Sequence, residues 1–201
     1  MRTDKKKHLF RVWICIVVLI LCLSAAAMSE TQSNKTAVLI SFDFQRQSTM
    51  ASNQIALWVE DEEGHAVRTL LATSFTAGRR GYRNRDMSLA AWVASSQPEA
   101  LSQNELDAIS SATPSSGRLE YLWDLTDDQG NPVPEGFYRI RLEGTLFWES
   151  AVLYTAEIKT GEEVPGSLQI EMERNQPDNH ENETMIENVT MTFHEEKGVN
   201  P

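Results

Sequence analysis

The chain has 201 residues, with 29 Asp and Glu against 18 Lys and Arg, for a net charge of −11. That balance excludes nonspecific nucleic-acid binding, which depends on neutralising phosphates with cations. The two cysteines, Cys15 and Cys22, both lie in the first apolar stretch, so no disulfide framework holds the body together. In chain order, residues 1–27 read as an export signal. Arg2, Lys5, Lys6, Lys7 and Arg11 form its basic start and Val12 to Ser24 its apolar stretch. Ala25-Ala26-Ala27 is the small-residue cleavage site, before the polar run Ser29-Glu30-Thr31-Gln32. The apolar stretch is shorter than the roughly 20 residues of a bilayer span. A cleaved, periplasmic protein is therefore expected, with an inner-membrane signal anchor as the alternative. Leu19-Ile20-Leu21 before Cys22 lacks the small residues of a lipoprotein signal. Cleavage leaves 13 basic and 28 acidic residues, a net charge of −15. Anionic lipid surfaces repel such a chain, so no direct membrane binding is expected once the signal is gone.

After a polar linker at 28–35, short strands alternate with turn signals. Val38, Ile40, Phe42 and Phe44 share one face of a segment at Thr36–Phe44, and Ile55, Leu57 and Val59 share one face of the next. The acidic turn Asp61-Glu62-Glu63-Gly64 leads into a strand through Val67, Leu70 and Leu71. Leu119, Tyr121 and Trp123 alternate again, as do Tyr138, Ile140 and Leu142, then Val152, Tyr154, Ala156 and Ile158. Leu168–Met172 and Val189–Phe193 complete the strands. Period-two patterning at this spacing predicts an all-β, immunoglobulin-like antiparallel β-sandwich over 36–173.

Between the strands lies an insertion at about 78–117. Leu89, Trp92 and Val93 within Asp86–Ser96 have helical spacing, and Leu106 and Ile109 mark one face of a short helix at Gln103–Ile109. Ser110 to Gly117 reads as a small-residue loop. A tight hairpin is expected at Trp123–Tyr138. In it Gly130 and Gly136 supply positive φ, and Trp123 and Tyr138 are buried together. Residues 174–183 read as a polar loop, and 184–201 as the final strand and tail.

Four arginines, Arg79, Arg80, Arg83 and Arg85, fall in Gly-Arg-Arg-Gly-Tyr-Arg-Asn-Arg. Guanidinium forks suit phosphate and carboxylate, so the cluster reads as an anion-binding surface. The competing reading is intramolecular pairing with the many carboxylates. Trp92 reads as core rather than as a stacking platform for a flavin. Asp178, His180, Glu181 and Glu183 have no metal-ligand spacing and read as solvated. No nucleophile elbow or phosphate-binding glycine loop marks a stand-alone enzyme.

Three resemblances follow from these residues. The run Trp123-Asp124…Asp127…Gly130…Val133-Pro134…Gly136…Tyr138 resembles the immunoglobulin-like domain of flagellar hook-capping proteins, which implies a fold and not a function. The order from Ile55 to Ile158 is similar to a family of predicted periplasmic proteins of unknown function. That order is Ile-Ala-Leu-Trp-Val-Glu-Asp, an arginine-rich loop, a Trp segment, Asp107-Ala108…Ala112-Thr113-Pro114 and then the hairpin. Finally, Asp107-Ala108-Ile109-Ser110-Ser111-Ala112-Thr113 resembles the D-x-x-[ST]-G-A-T motif at which a flavin transferase esterifies FMN to threonine, with Ser111 in the glycine position. This last resemblance implies a covalent FMN on Thr113. It places Asp107, Ser110, Ser111 and Ala112 around the FMN, and makes the partners a Mg-dependent flavin transferase and a PepSY-type membrane redox protein. The alternative function is a non-enzymatic binding or structural module without a cofactor.

Overall fold

The structure is a computed structural model. It describes residues 35–47, 53–78, 81–145, 150–161, 166–175 and 184–196. The export signal, the linker to residue 34, Arg79, Arg80, and Asp178, His180, Glu181 and Glu183 lie outside the described residues. Two β-sheets face each other, as the alternating patterns require. In the smaller sheet, β1 (Lys35–Phe44) runs between β5 (Gly117–Trp123) and β9 (Ile186–Glu196), antiparallel to both. Val38, Ile40, Phe42 and Phe44 all turn into the core, where Phe42 stacks on Tyr121 with ring centroids 6.1 Å apart.

The larger sheet has the order β4-β3-β2-β6-β7-β8. Its strands are β2 (Gln54–Glu60), β3 (Ala66–Thr73), β4 (Ser110–Ser111), β6 (Phe137–Thr145), β7 (Ala151–Lys159) and β8 (Ile170–Asn175). Tyr138, Ile140, Leu142, Val152, Tyr154, Ala156 and Ile158 are buried against the smaller sheet. β8 continues through Arg174 and Asn175, residues whose polarity reads as loop. An edge strand exposed on its outer face accepts such residues.

The all-β sandwich with a short helical insertion is present, with three local differences from the sequence expectation. First, β2 is buried along its whole length and not on one face only. Ile55, Leu57 and Val59 enter the sandwich, while Ala56 and Trp58 enter a second cluster with Ala72, Ala77, Leu89 and Trp92. Trp92 is thus core, as expected. Second, Ser110–Ser111 is a strand and not a loop. It pairs in parallel with Ala72–Thr73 on the open edge of β3.

Third, the Trp123–Tyr138 connection is an arch between the sheets and not a hairpin. β5 pairs with β1 in one sheet, and β6 pairs with β2 and β7 in the other. Its aromatic pair is nevertheless buried as expected, with Trp123 and Tyr138 edge to face at 5.7 Å. Trp123 Nε1 donates to the Thr126 carbonyl and the Tyr138 hydroxyl to the Pro134 carbonyl. Asp127 Oδ1 accepts from the backbone N–H of Gln129 and Asn131, which closes the turn. Of the two glycines only Gly130 has positive φ, at +80°, while Gly136 lies past the turn; Leu125, at the start of the arch, is also left-handed at φ +58°. Asp128 accepts from the Thr69 amide and donates its own amide to the Val67 carbonyl. The arch therefore covers the part of the β3 edge that β4 leaves open.

The second cluster is roofed by four short helices: α1 (Ser74–Ala77), α2 (Gly81–Asn84), α3 (Ala90–Ser96) and α4 (Gln103–Ile109). A buried polar knot fixes the first of them. Gln54 Oε1 accepts from the hydroxyls of Thr73 and Thr76 at 2.7 and 2.8 Å, and Thr76 bonds Ser88.

Candidate functional site

The segment that would carry the flavin is built from the end of the helical roof. α4 starts in a capping box, with the Ser102 hydroxyl accepting from the Glu105 amide and the Glu105 carboxylate from the Ser102 amide. Leu106 anchors the helix, being 1% exposed. Asp107 lies on its outer face and accepts from Gln103 Nε2 at 2.7 Å, and the Ser110 hydroxyl donates to the Asp107 carbonyl. Ser110 and Ser111 then add to β3, and the chain leaves the sheet at Ala112. Ser111 and Ala112 are exposed. Thr113 sits in the following loop, half-buried rather than fully exposed. Among the described residues its hydroxyl makes no hydrogen bond.

Of the arginine cluster, Arg83 forms a two-pronged pair with Glu99, Nε to Oε1 at 2.9 Å and Nη2 to Oε2 at 2.6 Å. Tyr82 donates its hydroxyl to the same carboxylate. Arg85 follows α2 and is half-buried. The intramolecular reading therefore holds for Arg83. α1 touches α2, α4 and β4.

A further polar group, absent from the sequence expectation, lies on β6. Glu143 is 3% exposed. Its carboxylate accepts from the backbone amides of Ala91 at 3.3 Å and Trp92 at 2.9 Å. Burial pushes its pKa up to about 7, against the pull of those amides and of Arg141. The helix it meets has no cap of its own. Leu89, the residue before α3, is left-handed at φ +51°, and no side chain on α3 serves the first amides. Glu143 is thus a cap supplied from another strand. It also borders a cavity of about 230 Å³ with Ala90, Ala91, Ala151, Leu153 and Glu173.

Glu60, at the other end of β2, is paired. Arg141 and Arg139 approach Glu60 at 2.9 and 3.3 Å, and Trp58 Nε1 donates to it. Among the described residues no cluster of His, Cys, Asp or Glu could hold a metal ion.

Residues 35–175 match the profile of the DUF2271 family, described as predicted periplasmic proteins. The chain belongs to that family. Comparison with curated proteins and with solved structures found no match. The DUF2271 match runs from β1 to β8 and includes the helical roof, the Asp107–Thr113 segment, Glu143 and the arch. β9 lies beyond it, although it pairs along most of β1. The family description agrees with the export signal expected from residues 1–27. Among the described residues no helix is long and apolar enough to cross a membrane.

Glu143 had no sequence signal of its own. In Arg139-Ile140-Arg141-Leu142-Glu143 the charged residues alternate with core residues, the pattern of a strand with one face in water. The one hint was the apolar content of the insertion, since Leu89 and Trp92 need a surface to bury against.

Proposed function

We propose that this protein is a periplasmic carrier of covalently bound FMN, esterified to Thr113, that exchanges electrons with a membrane redox partner of the PepSY type. The observation that carries the reading is the Thr113 hydroxyl, which is without a hydrogen bond among the described residues and follows two exposed small residues, Ser111 and Ala112. A group transferred from outside needs such an oxygen. Pro114 keeps Thr113 out of helical geometry, so α4 does not continue through the acceptor. In the transfer, the Thr113 oxygen bonds to the FMN phosphorus of FAD, AMP leaves with the bridging oxygen, and the hydroxyl proton passes to a base of the transferase. The bound flavin would supply the redox chemistry. The chain supplies position: α4 and β4 fix the loop at both its root and its flank.

Co-expression with a flavin transferase tests this reading. The expected product is yellow, heavier by roughly 440 Da, and keeps its fluorescence on denaturation. Thr113→Ala abolishes all three. Unmodified mass in the presence of an active transferase leaves the binding-module alternative.

A further inference from the structure

We propose that the cavity beside Glu143 is a binding site for a small aliphatic ammonium ion, distinct from the Thr113 segment and independent of it. The cavity holds about 230 Å³. Ala151 and Leu153 of β7 make its floor, Ala90 and Ala91 of α3 one wall, and two carboxylates stand at opposite sides. Register fixes those two positions. Glu143 pairs with Leu153, and Leu153 with Glu173, so the three share one row and one face. Two strand spacings separate the carboxylate-bearing backbones, roughly 10 Å. Leu153 lies between them as an apolar platform.

The chemistry of the lining selects the ligand class. Among the described residues, every charged residue around the cavity is acidic. The nearest cation along β6, Arg141, is drawn to Glu60 and lies over the Trp58 ring at 5.8 Å. A short hydrocarbon stem fits the Ala and Leu floor, and a cationic head fits between the carboxylates. Neutral and anionic ligands lack one of these complements. Glu143 is already held by the α3 amides, so it is pre-organised for a ligand and needs no rearrangement to accept one. The groups facing it are these amides, Leu153 and Ala56 as its register partners, Arg141 on its own strand, and Glu173 from β8. Its raised pKa adds a linkage: a bound cation favours the ionised form, so binding strengthens as pH rises through about 7.

Titration of the ¹⁵N-labelled full chain with n-butylammonium, followed by NMR, tests the site. The expected result is saturable shifts of the Ala90, Ala91 and Trp92 amides, with affinity higher at pH 8 than at pH 6. n-Butanol shifts them far less. Glu173→Gln, an exposed change that spares the fold, weakens binding several-fold without moving the pH dependence. Glu143→Gln weakens it about tenfold, the loss of one charge-assisted contact, and removes the pH dependence. N-acetyl-lysine methylamide in the same titration separates a peptide lysine from a free amine: tighter binding than butylammonium assigns the former. Equal response to butanol, or no amide shift with either amine, overturns the proposal. So does full affinity in Glu173→Gln together with a fold-competent Glu143→Gln.

Discussion

At the scale of single residues, Glu143 carries the largest electrostatic consequence. A carboxyl in water titrates near 4.5, and in the fold it titrates at about 7. A raised carboxyl pKa means that the folded state holds its proton more tightly than the unfolded state. The contribution to stability is therefore full below about 4.5 and is lost as pH rises through 7. The shift corresponds to ~3 kcal/mol, an order of magnitude only. Asp43, Glu105 and Asp127 shift the other way, held down chiefly by hydrogen bonds, and so lose stability as pH falls through their folded values, outside the Glu143 window. Asp128, pushed up mainly by burial, has the same sign as Glu143. The expected outcome is that urea unfolding of the native chain shows stability falling between pH 5 and pH 8. In Glu143→Gln the fall is much shallower, because Gln has no proton to lose. Equal slopes in the two chains would assign the pH dependence to other groups. This residue was illegible in the sequence for a physical reason. Its strand pattern is that of a half-exposed sheet, and only the tertiary placement of α3 turns its outer face into an interior.

At the scale of elements, alternation located the long strands because each has one face in the sandwich. The apolar residues Val38, Ile40, Phe42 and Phe44, and Val152, Tyr154, Ala156 and Ile158, enter the sandwich at every second position. β2 did not declare its second buried face, since Ala56 and Trp58 read as ordinary outward residues. The arch shows a second limit. Turn chemistry identified a tight reversal at Asp127–Asn131, but turn residues do not say whether the flanking strands pair with each other. Here they enter different sheets. The arch gives a clean test of backbone conformation. Gly130 has φ +80° with nothing within 4 Å of an added Cβ, so Gly130→Ala meets no clash and only left-handed strain. A loss of about 1 kcal/mol in unfolding free energy is expected. Gly136→Ala is the control: its Cβ would meet Tyr138 at 3.9 Å, an ordinary contact, and no positive φ opposes it. Its effect is expected within about 0.5 kcal/mol. If the two variants lose equal stability, the turn geometry is not what holds the arch.

At the scale of the whole molecule, the two sheets are set close together where β6 ends and β9 begins. Gly144 faces inward at this point, and an added Cβ would run into the ends of the Met185 and Ile186 side chains. The Tyr154 hydroxyl donates across the same gap to the Ile186 carbonyl at 2.9 Å, while the Gln45 amide donates to the Met185 carbonyl within the smaller sheet and extends the pairing of β1 with β9. Sheet spacing in this region is therefore set by an absent side chain and one cross-link to backbone. β2 then couples this sandwich to the second cluster, because its residues alternate between the two interiors. A disturbance on one side is expected to be felt as a loss of global stability and not as local fraying. Gly144→Ala should cost about 1–3 kcal/mol through overpacking, with Met185 and Ile186 forced from their places. Tyr154→Phe should cost about 1 kcal/mol, the worth of one buried hydrogen bond. Both losses should show as earlier urea midpoints, with fluorescence of the buried tryptophans and far-UV circular dichroism coinciding in a single transition. Trp123 reports the sandwich, while Trp58 and Trp92 report the cluster under the helices. If the helical roof melted first in Gly144→Ala, with the sandwich intact, β2 would not transmit the strain. An unchanged midpoint would mean that the sheets have room to separate at this end.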